Sequence, residues 1–323
     1  MKSFLYIVLS FLFVSCNQND TIKEISEFQP LDTLQFQKDL KKLGEKLFFD
    51  KSLSIDNTVS CATCHIPALA FTDGKKRSIG IHNRSAKRNS PTLVTVAHQD
   101  KFMWDGGIKT LELQALVPLQ DTNEMGSKVS ELIPELQMNL WYDSLSQRLY
   151  GHEFNAYTLT QALSYFQKTL YYENSTFDEW QKDGVEVSES IENGYRLFTE
   201  ELNCASCHNG RAFTNSSLEN NGLYEKYPDP GHYLISADSL DIGKFKVPTL
   251  RNIEITGPYM HDGSFETLEE IVAHYENGGK NHPNKSELIQ PFDLSDQERK
   301  DLISFLKSLT DKQLKAHWEK VFN

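Results

Sequence analysis

Apolar positions recur at helical spacing along most of the chain. Seven stretches carry them on one face: 33–49, 110–119, 129–140, 158–170, 188–202, 267–275 and 295–309. Ser295-Asp296-Gln297-Glu298 has the form of a capping box, in which serine and glutamate each satisfy one orphan N–H of the first turn. Thr158 stands before its apolar face as a further cap. Alternation of period two is weak, so strands are a minor expectation. Segments 71–108 and 209–260 show no sustained period and are rich in Gly, Asn and Pro. Loops that long are ordered when something binds them. Residues 173–190 are polar and lack an apolar face, which predicts a boundary between two halves.

The N-terminus differs from the rest. Lys2 precedes an apolar run from Phe4 to Val14, too short to span a bilayer and suited to an export signal. The run ends in Phe13-Val14-Ser15-Cys16, which resembles a bacterial lipoprotein box. Cys16 would then carry lipid and begin the mature chain. The other reading is an ordinary signal peptide with an incidental cysteine. The expected organisation is a lipoprotein signal peptide over 1–15, a polar tether over 16–30, one domain over 31–175 and a second over 186–323.

The two halves repeat one another. Gly44-x-x-Leu47-Phe48 is matched by Gly194-x-x-Leu197-Phe198. Pro91-Thr92-Leu93 aligns with Pro248-Thr249-Leu250. At the same spacing Met103-Trp104-Asp105-Gly106 meets Met260-His261-Asp262-Gly263, and Thr110-Leu111-Glu112 meets Thr267-Leu268-Glu269.

Composition narrows the class. The 323 residues carry 33 Lys+Arg against 45 Asp+Glu, a net charge of −12. That excludes nucleic acid as the main partner and suits a cationic protein. With 39% hydrophobic residues there is enough apolar material for two cores.

Four of the five cysteines fall in two identical frames, Cys61-Ala62-Thr63-Cys64-His65 and Cys204-Ala205-Ser206-Cys207-His208. C-x-x-C-H is the attachment pattern of haem c. Two thiols three residues apart can add to the two vinyl groups of one haem, and the adjacent histidine then lies beneath the iron. A four-cysteine zinc site would not need a histidine after both pairs. Disulfides between such near neighbours would constrain almost nothing. Two covalent haems are expected, with His65 and His208 as proximal ligands.

The duplication is most informative where it is broken. The helix of the second copy ends in His274-Tyr275, whereas the equivalent positions of the first are Val117-Pro118. The second haem is thus expected to be six-coordinate and the first open or closed by something displaceable. An open haem iron is where peroxide binds. Trp104 stands where the second copy has His261, as an electron relay or simply a core aromatic. Gln114 and Glu124 follow it. A carboxylate over an open haem can shuttle the peroxide proton; a surface glutamate is the plainer alternative.

These residues resemble the bacterial di-haem cytochrome c peroxidases and their MauG-type relatives over about 35–310. The resemblance rests on CATCH, FTDG at 71–74, RNSPT at 88–92, FMWDGG at 102–107, EMG at 124–126, CASCH, KVPTLRN at 246–252 and TGPYMHDGSFETLEE at 256–270. It implies a mainly α fold of two tandem cytochrome c-like haem domains, with the N-terminal haem peroxidatic and the C-terminal haem accepting electrons from a small donor such as a c-type cytochrome. It implies that Trp104 lies between the haems and that Gln114 and Glu124 line the peroxide pocket. It also implies a calcium ion at the domain interface, with Asn89 and the carbonyls of Thr256 and Pro258 as matching positions, a periplasm-facing location and often a dimer. His82 lies in the loop whose histidine caps the peroxidatic haem in many members. At the second haem, where many members use Met, the matching position is Tyr275, as in the MauG type; Met260 and His274 are the other candidates. Arg251 could meet a haem propionate or form a structural salt bridge.

Three functions follow: a peroxidase that reduces hydrogen peroxide to water, a MauG-like oxidase acting on a protein or organic substrate, and an electron-transfer cytochrome without chemistry of its own. The other histidines, His98, His152, His232, His282 and His317, suggest no role.

Overall fold

The computed structural model describes residues 32–314. Cys16, the segment before it, the whole tether and His317 lie outside the described residues. The fold is mainly helical, and none of the described helices is long and apolar enough to cross a membrane. Twelve α-helical segments are described: α1 (Thr33–Phe49), α2 (Cys61–Cys64), α3 (Leu111–Gln114), α4 (Leu116–Gln120), α5 (Val129–Gln137), α6 (Leu140–Tyr150), α7 (Ala156–Lys168), α8 (Thr176–Asp183), α9 (Glu189–Arg196), α10 (Tyr233–Ser236), α11 (Leu268–Glu276) and α12 (Asp296–Ser308). Two residues of β1 (Leu218–Glu219) pair antiparallel with β2 (Phe245–Lys246). The long segments 71–108 and 209–260 are mostly turns and short 3₁₀ pieces.

Each half is framed by one crossed helix pair, α1 with α7 and α9 with α12. Both crossings need a glycine. A Cβ on Gly44 would lie 1.9 Å from the Ala162 carbonyl oxygen, and one on Gly194 would lie 2.0 Å from that of Asp301. Beside each crossing two phenylalanines meet at the same angle: Phe48–Phe166 at 5.1 Å and 54°, Phe198–Phe305 at 5.0 Å and 54°. Buried apolar side chains fill the space around each pair.

The halves also meet reciprocally. The Asn89 N–H donates to the His261 carbonyl at 2.8 Å, and the Lys246 N–H donates to the Trp104 carbonyl at 2.7 Å. Asn89 and Lys246 are counterparts in the repeat, and so are Trp104 and His261. The contact is therefore pseudo-two-fold, of the isologous kind. Gly106 and Gly263, both at positive φ, each pack against the other half: a Cβ would come within 2.8 Å of Leu218 in β1 and of Lys76 respectively.

Several local expectations are corrected. The stretch 129–140 is two helices, because Asn139 caps α6 by accepting from the Trp141 N–H. Thr158 is not a cap: it lies inside α7, and Asn155 accepts its N–H. The stretch 110–119 breaks at Ala115, and Pro118 inside α4 has no N–H to give to the turn before it. The stretch 188–202 is α9 followed by a widened π-type turn over Leu197–Glu201. Residues 173–190 do have an apolar face. Within them α8 packs Phe177 against Phe213 and Phe305, and Trp180 against Tyr195. Two aromatics one turn apart are too sparse for the helical period to register. Buried Asp178 of α8 accepts two hydrogen bonds from Arg251, at 2.9 and 3.0 Å, so Arg251 takes its salt-bridge role.

Candidate functional site

The two attachment motifs sit on short helical turns. None of the four cysteines forms a disulfide, and Cys61 and Cys64 occupy one turn of α2 capped by Ser60. Burial raises the Cys61 and Cys204 thiols to about 12 and Cys64 to about 11. The proximal histidines are held alike. His65 Nδ1 lies 2.9 Å from the Phe71 carbonyl, and His208 Nδ1 lies 3.1 Å from that of Phe213. Burial lowers the His65 pKa and pushes His208 down to about 4, so each ring is neutral at pH 7 with one N–H. A carbonyl only accepts, so that proton is on Nδ1 and Nε2 keeps its lone pair for a metal. Phe71 and Phe213 both have positive φ, which turns their carbonyls toward the rings. Two thiols and one oriented imidazole in each half fit covalent haem c.

Around the first motif, Glu124 is the charged group that acts on the thiols of both Cys61 and Cys64. Burial, reinforced by Asp121, pushes its own carboxyl up to about 7 against the opposing pull of Lys87. The carboxylate accepts no hydrogen bond from the described residues, whereas its backbone carbonyl accepts from the Ile81 N–H at 2.9 Å. The loop bearing His82 is thereby packed on the loop bearing Glu124. His82 itself is 54% exposed, with Nδ1 3.5 Å from Asp56. It lines a cavity of about 340 Å³ with Asp56, Val59 and Gly80. On α3, Gln114 Nε2 is 3.8 Å from the Met103 sulfur. Trp104 lies at the contact between halves, its Nε1–H donating to the Asn89 carbonyl at 2.8 Å.

Around the second motif, Asn221 Nδ2 lies 3.4 Å from both Tyr275 Oη and the Met260 sulfur. Burial raises the Tyr275 pKa, against the opposing pull of the Asn221 hydrogen bond. His274 is differently placed: its Nε2 contacts the Asn221 carbonyl at 3.0 Å. His261, where the first half has Trp104, stacks on Phe245 at 3.7 Å and is pushed down to about 4 by burial. Asn89 spends Nδ2 on the Lys75 carbonyl at 2.9 Å, which leaves Oδ1 as its acceptor. Thr256 Oγ1 contacts the Ile253 carbonyl at 3.4 Å.

Two residues of the site escaped sequence reasoning. Asn221 sits in the longer loop of the second copy and has no repeat partner to flag it. Lys246 was visible as the counterpart of Asn89. Burial lowers it to about 8, and its Nζ donates to Gln99 at 2.9 Å. Among the described residues, the remaining histidines have structural partners, such as Tyr171 for His98 and the Asp105 carbonyl for His232.

Two haem c units, joined about a pseudo-two-fold and unlike on their open sides, define a di-haem c-type cytochrome. Residues 38–186 match the family described as di-haem cytochrome c peroxidase, and 191–310 match cytochrome c. The chain is 36% identical to the methylamine utilization protein MauG of Methylorubrum extorquens, over 83% of this chain and 77% of that one. It is 32% identical to the cytochrome c551 peroxidase of Nitrosomonas europaea, over 96% and 91%. The crystal structure of a MauG-like protein associated with microbial copper homeostasis superposes with a TM-score of 0.81 at 30% identity, covering 90% of this chain and 96% of that one. The chain belongs to the di-haem cytochrome c peroxidase and MauG family.

Proposed function

We propose that the chain reduces hydrogen peroxide to two waters, using two protons and two electrons from a c-type cytochrome or similar small donor. The N-terminal unit is the peroxide site and the C-terminal unit the point of electron entry. One observation carries this assignment: near the first motif an unpartnered carboxyl, Glu124, is poised at about 7, whereas the matching side of the second unit is filled by Tyr275, Met260 and Asn221.

When bound, the first haem supplies an iron that can coordinate peroxide and accept electrons. The protein supplies the rest. His65 presents Nε2, its ring fixed by the Phe71 carbonyl. Glu124 takes the proton from one peroxide oxygen and returns it to the other, so that the departing oxygen leaves as water. Gln114 orients the peroxide. Trp104, hydrogen-bonded to one half at Asn89 and the other at Lys246, couples the two units.

A second reading, a MauG-like oxidase acting on a protein or organic substrate, is favoured by Tyr275. A phenolate ligand stabilises oxidised iron, so the second haem would share oxidising equivalents rather than store an electron. His82 is the candidate cap of the first haem. One Ca²⁺ at Asn89 Oδ1 and the carbonyls of Thr256 and Pro258 completes the cofactor set, since oxygen donors on loops suit it. The protein is exported, faces the periplasm, is lipid-anchored through Cys16 and can form a homodimer. The test is stopped-flow Soret spectroscopy of ferric holoprotein mixed with peroxide. Reaction only after reductive activation, abolished by Glu124→Gln, supports the peroxidase. Immediate reaction with a Tyr275-dependent spectrum moves the oxidase ahead. No reaction in either state refutes both.

A further inference from the structure

We infer that the outer face of α1 and α6 rests on an anionic lipid bilayer. The inference builds on Cys16 as the lipid-bearing residue. α1 presents Lys38, Lys41, Lys42 and Lys46 to solvent, and none of the four forms an ion pair among the described residues. Asp39 of the same helix is buried and paired with Arg148, so its charge, like that of Asp50 at the helix end, offsets Lys42 and Lys46 only in part. Glu45 is only partly exposed. On a chain of net charge −12 such a face runs against the average.

The apolar part lies alongside. Lys42 and Lys46 place their ammonium groups 5.8 and 5.6 Å from the Trp141 ring of α6. Next to Trp141, Leu140 is 82% exposed and Met138 is 76% exposed, more than any other large apolar side chain described. Lysines around a half-buried tryptophan, with bare aliphatic side chains beyond it, are the components of an interfacial contact. The aliphatic groups enter the acyl boundary, the indole sits at headgroup level and the ammonium groups meet lipid phosphates.

The tether brings this face to the membrane. The described chain enters α1 at Asp32, sixteen residues after Cys16. Fully extended, that length reaches at most about 55 Å, so the anchor limits distance and leaves orientation free. The lysine face begins within two turns of the point where the tether ends.

The experiment labels exposed amines of the mature holoprotein and reads each lysine by mass spectrometry. Three states are compared: vesicles containing phosphatidylglycerol, vesicles of phosphatidylcholine alone, and detergent. The expected result is about fivefold lower labelling of Lys38, Lys41, Lys42 and Lys46 in the anionic vesicles only, with Lys226 and Lys300 unchanged. Met138→Ser with Leu140→Ser is expected to reduce that protection while leaving the Soret spectrum intact. Equal labelling in anionic and neutral vesicles overturns the inference, as does protection that requires an added protein and no lipid. The mass of the N-terminal peptide separately reports whether Cys16 is lipidated. If it is not, the same labelling is read with vesicles added to the soluble holoprotein, so the two failures are distinguished.

Discussion

In the N-terminal unit the helix after Thr110 is interrupted at Ala115 and stops shortly beyond Pro118. In the C-terminal unit the helix after Thr267 runs unbroken to Glu276 and carries His274 and Tyr275 on its last turn. Everything beneath these helices is alike: the glycine crossing, the phenylalanine pair, the imidazole tied to a carbonyl. The comparison teaches that a common frame carries two unlike helices above it. Pro118 stands in one copy where Tyr275 stands in the other, which is the difference on which the proposed function rests.

That contrast can be broken most severely at Glu124. Glu124→Gln is expected to lower kcat/KM for peroxide about a hundred- to ten-thousand-fold, read by steady-state peroxide consumption. Asn281, which the 157-residue spacing between Trp104 and His261 pairs with Glu124 in the second unit, is expected to tolerate substitution with unchanged turnover. The pH profile sharpens the same point. Glu124 must be ionised to accept a proton, so kcat/KM is expected to rise tenfold per pH unit below about 7 and level off above, with the break missing in Glu124→Gln.

Asp178→Ala removes the doubly hydrogen-bonded partner of buried Arg251 in the second unit alone, leaving Glu173 at 3.7 Å as its remaining carboxylate. It is expected to cost about 3–5 kcal/mol there, seen as earlier loss of the second unit's structure in denaturant. Gly44→Ala and Gly194→Ala should each cost about 1–3 kcal/mol, and by similar amounts, because the two crossings are equally tight. The smallest effect concerns acid. Burial would raise Glu173, but Arg211 and Lys182 outweigh it and hold the carboxyl at about 2. Its contribution is complete above 4.5, the ordinary glutamate value, and is lost as pH falls through about 2. Glu173→Gln should flatten that part of an acid-unfolding curve.

Most of this comparison was legible in the sequence. The C-x-x-C-H frames located both motifs, the repeated Gly-x-x-Leu-Phe located the paired glycines, and the downstream repeat located the break at Val117-Pro118, because backbone constraints leave the same residue types in both copies. What stayed hidden depended on contacts across the repeat. Asn221 belongs to a loop present in one copy only. The docking of α8 rests on two aromatics and one aspartate, whose partners lie far along the chain. The burial of Lys246 follows from a neighbour in the other half, Gln99, which no local pattern announces.

The reciprocal bonds between Asn89 and His261 and between Lys246 and Trp104 have a further consequence. A homodimer of one such unit would have to place the same residue on both sides of its axis, two tryptophans or two histidines. Tethering the copies in one chain makes their association intramolecular and removes that obligation. Each side can then change without being mirrored. Directionality, a way in for electrons and a separate way out, requires just such an unequal pair on an otherwise equal scaffold.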